Sequence, residues 1–450
     1  MTKTTTPLAC VILAAGQGTR MKSDLPKVLH PVAGQAMIRH VLNACSELLP
    51  ERIIVVVSPN AKQIIEAVAP TPCVVQDKPL GTGDAVKAAR KALEGFQGDI
   101  LILYADSPLI SIESLNEMRR KRFEAGSTIV LTGFWPQNAG SYGRLVTDTK
   151  GNLIEIVEAS EATPEQRAIK LCNGGIMLYD AQKLWGLLAQ LRDNNAKKEF
   201  FLTDCIALAH RAGDLCSIVE ISPDEILGAN TRVELAQIEK IMQQRLRKKV
   251  MLGGTTLIDP DTVYLSFDTK IGRDVVIEPN VVIGEGVEIA DHVTIRAFSH
   301  IEKTRIQACA IIGPFARLRP GSTIGPNAHI GNFVEIKKSD IGQGAKVNHL
   351  SYVGDATIGT KANIGAGTIM ANYDGFGKYH THIGAGVYTG ANSVFVAPLT
   401  VGEGAYIGAG SVITNDVPAN ALAVARGRQE NREDWARRMR EQKTRDKNGQ

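Results

Sequence analysis

A six-residue repeat constrains this chain more than any other feature. Aliphatic residues recur every six positions at Ile271, Ile277, Ile283, Ile289, Ile295 and Ile301. The same step runs through Ile312, Leu318, Ile324, Ile330 and Ile336, then Ile341, Val347 and Val353, and later Val401, Ile407 and Ile413. Many of these positions are followed by glycine, as in Ile283-Gly284, Ile324-Gly325 and Ile407-Gly408. A hexapeptide period is the mark of a parallel β-helix, in which each short strand turns one aliphatic side chain into a narrow core. Three hexapeptides close one triangular coil, so residues 262–418 predict roughly eight coils about 4.8 Å apart. Composition now has a cause. The 43 glycines suit tight turns through their φ freedom, and the 5% aromatic content suits a core too thin for rings. The period slips at 304–311 and breaks between Met370 and Ile383, where residues 371–382 read as a loop thrown out of the coil.

Residues 8–228 follow another rhythm. Cys10-Val11-Ile12-Leu13 precedes a glycine-rich turn, an apolar run over 53–57 precedes a helical pattern over 61–68, and Ile100-Leu101-Ile102-Leu103-Tyr104 precedes a helix over 111–122. This is the βαβ pattern of a Rossmann-like, mostly parallel sheet with helices on both faces, whose ligands gather at the carboxyl ends of the strands. A long polar helix is predicted over 230–250, with Leu235, Ile238, Met242 and Leu246 at helical spacing; Asn230 is by position a natural N-cap for it, a role open beside any other its side chain has. The expected division is 1–228, a connector at 229–252, and a β-helix domain with a basic tail at 253–450.

Several function classes drop out. No apolar stretch reaches the length of a membrane span, and no secretory leader precedes the first strand, so a cytoplasmic enzyme is expected. The seven cysteines form no C-x-x-C pair and read as reduced, buried thiols. The net charge of +4 lies in residues 426–450, which carry Trp435 as their one aromatic, and this argues against nucleic-acid binding.

Two motifs carry chemistry. The first is Leu13-Ala14-Ala15-Gly16-Gln17-Gly18-Thr19-Arg20-Met21, continuing to Pro26-Lys27. After a strand, its exposed N–H groups with Arg20 and Lys27 would surround phosphates; a plain tight loop with solvated basic residues is the alternative. The second is Tyr104-Ala105-Asp106 at a strand end. Its carboxylate suits a hard divalent cation bridging nucleotide phosphates, or equally a helix cap ahead of Ser107-Pro108.

These blocks, joined to a hexapeptide helix, resemble the bacterial bifunctional N-acetylglucosamine-1-phosphate uridylyltransferase and glucosamine-1-phosphate N-acetyltransferase family over essentially the whole chain. Further matching blocks are Gly81-Thr82-Gly83, Tyr142-Gly143-Arg144 and the run from Asn332-Phe333 to Lys337-Lys338. The resemblance implies a left-handed β-helix, a homotrimer, and UTP and acetyl-CoA as co-substrates, with Mg²⁺. It implies that Leu13, Ala14, Ala15, Gly16 and Arg20 contact nucleotide, Lys27 a phosphate, and Gln76, Gly81 and Thr82 the uracil. Gly143, Glu158 and Asn173 would hold the sugar, and Asp106 and Asn230 the metal. In the β-helix it implies His349 as general base and Arg319, Lys337, Tyr352 and Asn363 around glucosamine 1-phosphate. Ala366, Asn372, Tyr373, Ala391, Ala409 and Arg426 would line acetyl-CoA. Two departures stand out: Ala105 where the family often has glycine, and Ala391 where it often has serine. A single-activity sugar-1-phosphate nucleotidyltransferase with a structural β-helix is the alternative reading.

Overall fold

Alternation of side chains along the strand Leu8–Leu13 sets the architecture of the first unit. Ala9, Val11 and Leu13 enter one buried cluster, while Leu8, Cys10 and Ile12 enter another on the opposite face. A strand buried on both faces needs helices on both sides. The computed structural model describes residues 6–16, 18–195 and 198–448, so Gln17 of the glycine-rich motif lies outside them. The chain divides into two units, Met1–Lys248 and Lys249–Gln450.

In the first unit the sheet runs in the order Cys216–Glu220, Ile129–Phe134, Cys172–Asp180, Asp99–Tyr104, Leu8–Leu13, Arg52–Val57, Cys73–Val75. Cys172–Asp180 is antiparallel to both its neighbours; the other pairings along this order are parallel. Strand order reverses at Leu8–Leu13, which lies between Asp99–Tyr104 and Arg52–Val57. That reversal opens a crevice at the carboxyl ends of Leu13 and Tyr104.

The long helix spans Arg232–Leu252, and its start corrects one expectation. Thr231 caps it, not Asn230: Thr231 Oγ1 accepts from Glu234 N at 3.2 Å and Glu234 Oε2 accepts from Thr231 N at 2.8 Å. This reciprocal box satisfies the first-turn donors and frees the Asn230 side chain for other work.

The second unit is a left-handed parallel β-helix with faces of ten, eight and eight strands. The ten-strand face gains its extra rungs from Thr256–Leu257 and Leu422–Ala423, beyond the predicted stretch. Coil register stacks like on like: Ile277 pairs with Ile295, and the column continues through Ile312, Ile330, Val347 and Ile364, all buried. The slip near 304 is a coil one residue shorter, Ile289 pairing with Ile306. The later break is the loop between Ile369–Ala371 and Thr381–Ile383.

The glycines and the core each revise the sequence reading. Apart from Gly313, at φ +90°, the Ile-Gly glycines do not adopt positive φ. The left-handed corners are held by residues such as Asp274, Asn280, His292, Asn327 and Lys361, together with other glycines such as Gly344 and Gly367. What the Ile-Gly positions require is proximity. A Cβ at Gly325 would lie 2.7 Å from Ile341 O, and one at Gly331 would collide with the carbonyl of Asn348. Nor is the core free of rings. Phe395 is fully buried, in register with Met370, an unbranched side chain that packs around irregular neighbours. Among the cysteines Cys73 is half-buried and Cys309 is exposed at a left-handed corner, so burial covers the other five only.

Candidate active sites

In the first unit the glycine-rich turn and three strand ends enclose a cavity of about 290 Å³. Its lining includes Leu13, Ala14, Ala15, Gly16, Lys27, Gln76, Gly81, Thr82 and Asp106. The two glycines of the turn have different duties. A Cβ on Gly16 would meet nothing within 4 Å, whereas on Gly18, at φ +63°, it would lie 2.6 Å from Lys27 Cβ. The first leaves room in the cavity; the second lets the turn close on Lys27. The Lys27 ammonium then donates to Asp106 Oδ2 at 2.5 Å and to Asn230 Oδ1 at 3.2 Å. A carboxylate and an amide oxygen thus converge on one cation, and such hard oxygen donors also suit Mg²⁺ with phosphate completing its shell.

Gln76 donates its amide to Gly81 O (3.1 Å) and Asp84 Oδ2 (2.9 Å), which leaves its carbonyl oxygen as an acceptor. Gly81 needs φ +106°, and a side chain there would strike the Phe200 backbone. Thr82 Oγ1 accepts from Leu202 N at 3.0 Å, tying the loop to the strand-side wall. Gly143, Asn173 and Glu158 form an adjoining group. Asn173 N donates to Gly143 O at 2.8 Å, and a Cβ on Gly143 would meet Ile156, Asn173 and the Glu158 carboxylate at 3.1, 3.6 and 3.7 Å. Tyr104 connects the two groups. Burial first, then the Asp106 and Glu158 carboxylates, push its phenol up to about 12, so it is a neutral hydroxyl at any working pH. Arg20 is not brought in; it stands exposed in the turn Thr19–Met21 and does not line the cavity. Ala105 is buried in the core of one sheet face and does not line the cavity either.

In the second unit one corner of the β-helix carries a column of the predicted residues. Gly367 N donates to His349 O at 3.1 Å, Asn392 N to Ala366 O at 2.7 Å, and Gly410 N to Ala391 O at 2.8 Å. Arg426 closes the series, its guanidinium donating to Ala409 O at 2.8 Å. His349, Ala366, Ala391 and Ala409 therefore stand one coil apart. The left-handed positions beside them change character at His349: Phe298, Phe315, Phe333 and Leu350 on one side of it, Gly367, Asn392 and Gly410 on the other. The larger residues are exposed, and the three rings stack at 4.9 and 5.1 Å.

On the adjoining face Arg319 pairs in register with Lys337, and Tyr352 lies over Gly354, where a Cβ would strike its phenol. Arg319 donates to Glu335 Oε1 at 2.8 Å. Buried Asn372 donates to Asp355 Oδ2 at 2.6 Å, anchoring the loop, and Lys337 approaches the same oxygen at 3.8 Å. The loop also brings in Lys378, which the sequence reading did not name. The Lys337 ammonium touching it holds the Lys378 ammonium below its ordinary value, a crowding of like charge that an anion would relieve. Asn363 lies on the other face, between Lys346 and Tyr388, and Tyr373 is exposed in the loop with its hydroxyl on Gly375 O. Among the described residues no three His, Cys, Asp or Glu side chains are grouped to hold a metal.

Residues 10–201 match the family of MobA-like NTP transferase domains, and 268–303, 303–338 and 380–415 match the bacterial transferase hexapeptide family. The bifunctional protein GlmU of Rhodospirillum rubrum is 54% identical over 98% of both chains, and that of Paramagnetospirillum magneticum 51% identical over 97% of both. This chain belongs to the GlmU family. The GlmU of Azorhizobium caulinodans, 49% identical over 96% of this chain and 97% of its own, spans the same two units. For a GlmU-family chain, the residues to which the sequence reading gave no role were findable in part. Asn332 and Glu335, which stood there only within a matching block, follow from adding one coil of 17 residues to reach His349 and Tyr352. Lys378 carried no such signal, because the loop leaves the period.

Proposed function

We infer that the chain makes UDP-N-acetylglucosamine in two steps: acetyl-CoA-dependent N-acetylation of glucosamine 1-phosphate in residues 253–450, then uridylyl transfer from UTP in residues 1–228. The observation that carries this reading is the presence, on one chain, of a strand-end cavity with Lys27 between two hard oxygen donors and a β-helix corner with His349 heading a column of small residues.

In the acetyl step the cationic group Arg319, Lys337 and Lys378 suits the sugar phosphate. The substrate amine attacks the thioester carbonyl, an N–C bond forms, and His349 takes the amine proton. The C–S bond then breaks and the proton passes to the coenzyme sulfur. The pantetheine arm would lie along Ala366, Ala391 and Ala409, where Gly367 and Gly410 leave the corner open, with Arg426 toward the nucleotide phosphates. Alanine at 391 offers no hydroxyl, so the arm is held there by contact rather than by a side-chain hydrogen bond.

In the uridylyl step the Gln76 carbonyl suits the uracil N3–H, and the N–H groups of the turn face the triphosphate. The sugar phosphate oxygen attacks the α-phosphorus in line and pyrophosphate leaves, with Lys27 offsetting the developing charge. Asp106 and Asn230 would hold Mg²⁺, which when bound neutralises phosphate charge. Gly143, Glu158 and Asn173 suit the N-acetyl sugar.

Arg319, Lys337 and Tyr352 lie on one face of the prism and Asn363 on another. The exposed ladder Phe298, Phe315, Phe333 and Leu350 runs beside them. Both facts support a homotrimer in which a neighbouring copy covers the ladder and completes the acetyl site. No helix among the described residues is long and apolar enough to cross a membrane. We assign the chain to the cytoplasm, where both co-substrates are made. Product analysis by mass spectrometry with glucosamine 1-phosphate, acetyl-CoA, UTP and Mg²⁺ tests both steps; UDP-N-acetylglucosamine is expected. Uridylylation of supplied N-acetylglucosamine 1-phosphate without acetylation would instead leave the single-activity reading.

A further inference from the structure

We propose that Asn332 is a positioning residue for His349: it holds the imidazole by its Nδ1–H and leaves the Nε2 lone pair free for the substrate amine. The proposal rests on the reading of His349 as the acetyl-transfer base. It starts from the coil register. Asn332 and His349 are paired across one coil, Leu350 N donating to Asn332 O at 3.0 Å. At that separation side chains on the same side must meet, and Asn332 Oδ1 lies 2.6 Å from His349 Nδ1. An amide oxygen only accepts, so the ring nitrogen facing it carries the proton. A neutral imidazole has one N–H, so Nε2 is then the acceptor.

Two further features fix this geometry. Gly331, next to Asn332, lets the coil lie against Asn348 closely enough for the contact to form. A hollow of about 300 Å³ adjoins the pair, lined by Arg296, His329, Asn348 and Phe333 among others. The Asn348 amide oxygen is buried there without a hydrogen-bond partner among the described residues, an acceptor for a donor brought in by a ligand. Free rotation of an exposed imidazole would spread Nε2 over several directions. Held from below, it presents one lone pair on the coenzyme side of the corner.

The test uses the full-length chain with ¹⁵N-labelled histidine. In the wild type the His349 ring nitrogens, assigned by their loss in His349→Ala, are expected to report the Nδ1–H tautomer. Asn332→Leu is expected to mix the tautomers and lower kcat for acetyl transfer by on the order of 10- to 100-fold, the usual worth of a group orienting a functional imidazole, with KM for both substrates nearly unchanged. Asn332→Asp keeps an acceptor oxygen and is expected to retain the tautomer and most of kcat; it also decides the matter should the leucine variant fold poorly. An Nε2–H tautomer in the wild type would overturn the proposal, as would a leucine variant that changes KM alone. If Asn332 controls the tautomer but His349→Ala still acetylates within tenfold of wild type, the contact stands and the reading of His349 as base falls.

Discussion

The two candidate sites have opposite geometries. In the first unit a single chain folds a turn, three strand ends and a helix start around one open crevice, and the cation Lys27 is already paired by Asp106 and Asn230. In the second, the coils repeat, and the hollow of about 300 Å³ beside Asn332 and His349 lies on the outside of the prism. The proposed acetyl-site residues are spread over two faces and one corner. A doubly wound sheet gathers its lining residues in one crevice, whereas the solenoid leaves Arg319, Lys337 and Tyr352 on one face and Asn363 on another, for a loop or another copy to bring together. The first site should therefore work alone and the second should not.

The strongest way to break this contrast is to separate the units. A chain ending near Lys249 keeps Asn230 and the three buried clusters of the first unit, including the one that holds Ile238 of the long helix. It should retain UTP-dependent uridylylation, sediment as a monomer and lack acetyl transfer altogether; persistence of the trimer would place the assembly contacts in the wrong unit. Within the full chain, Asp106→Ala should lower uridylyl transfer by about 10²- to 10³-fold, the usual worth of one preorganised electrostatic group, while acetyl transfer is untouched. Near-normal UDP-sugar formation would reject the carboxylate's role.

His349→Ala should do the reverse, lowering acetyl transfer by on the order of 10² to 10⁴. Replacing Gly331 with alanine probes the rung itself. Its methyl would press on the Asn348 carbonyl, so acetyl transfer should fall by roughly tenfold or more and the β-helix should melt several degrees earlier, as strain of 1–3 kcal/mol implies. Calorimetry distinguishes the units here, because the melting of the first should not move. The smallest effect is expected from Ala391→Ser. A restored hydroxyl should lower KM for acetyl-CoA by about two- to tenfold, the worth of one hydrogen bond of 0.5–1.5 kcal/mol. An unchanged KM would show that position 391 serves the arm by shape alone.

Legibility in the sequence follows the same division. The β-helix could be read almost rung by rung, because its period is the fold. Its site was harder to read, since neighbours in space lie 17, 18 or 25 residues apart and the loop that delivers Asn372 and Lys378 obeys no period. The first unit reversed this. Its strands were visible only as apolar runs, yet the turn carrying Gly16, Gly18 and Lys27, which lines the crevice, stood out locally as a motif. Two positions looked local in the sequence and are not. At most Ile-Gly pairs a neighbouring coil, rather than φ, requires the glycine, and Asn230, a natural cap by its place in the chain, is claimed instead by Lys27, 203 residues away.

The glycine-spaced coils also make the β-helix a counting device. Distance along its corner comes in whole steps, so the reach from the imidazole to the Arg426 anchor is an integer of rungs and not a continuous length. The loop stretches its coil to 25 residues, against 18 in the next, yet adds no step, because it swings outward before Thr381 resumes the stack above Ala356. Such a loop can therefore change length while the spacing of the corner, the proposed gauge for an extended cosubstrate, stays the same. Deleting one complete coil between His349 and Ala409 would leave a well-folded prism whose ruler reads one mark short.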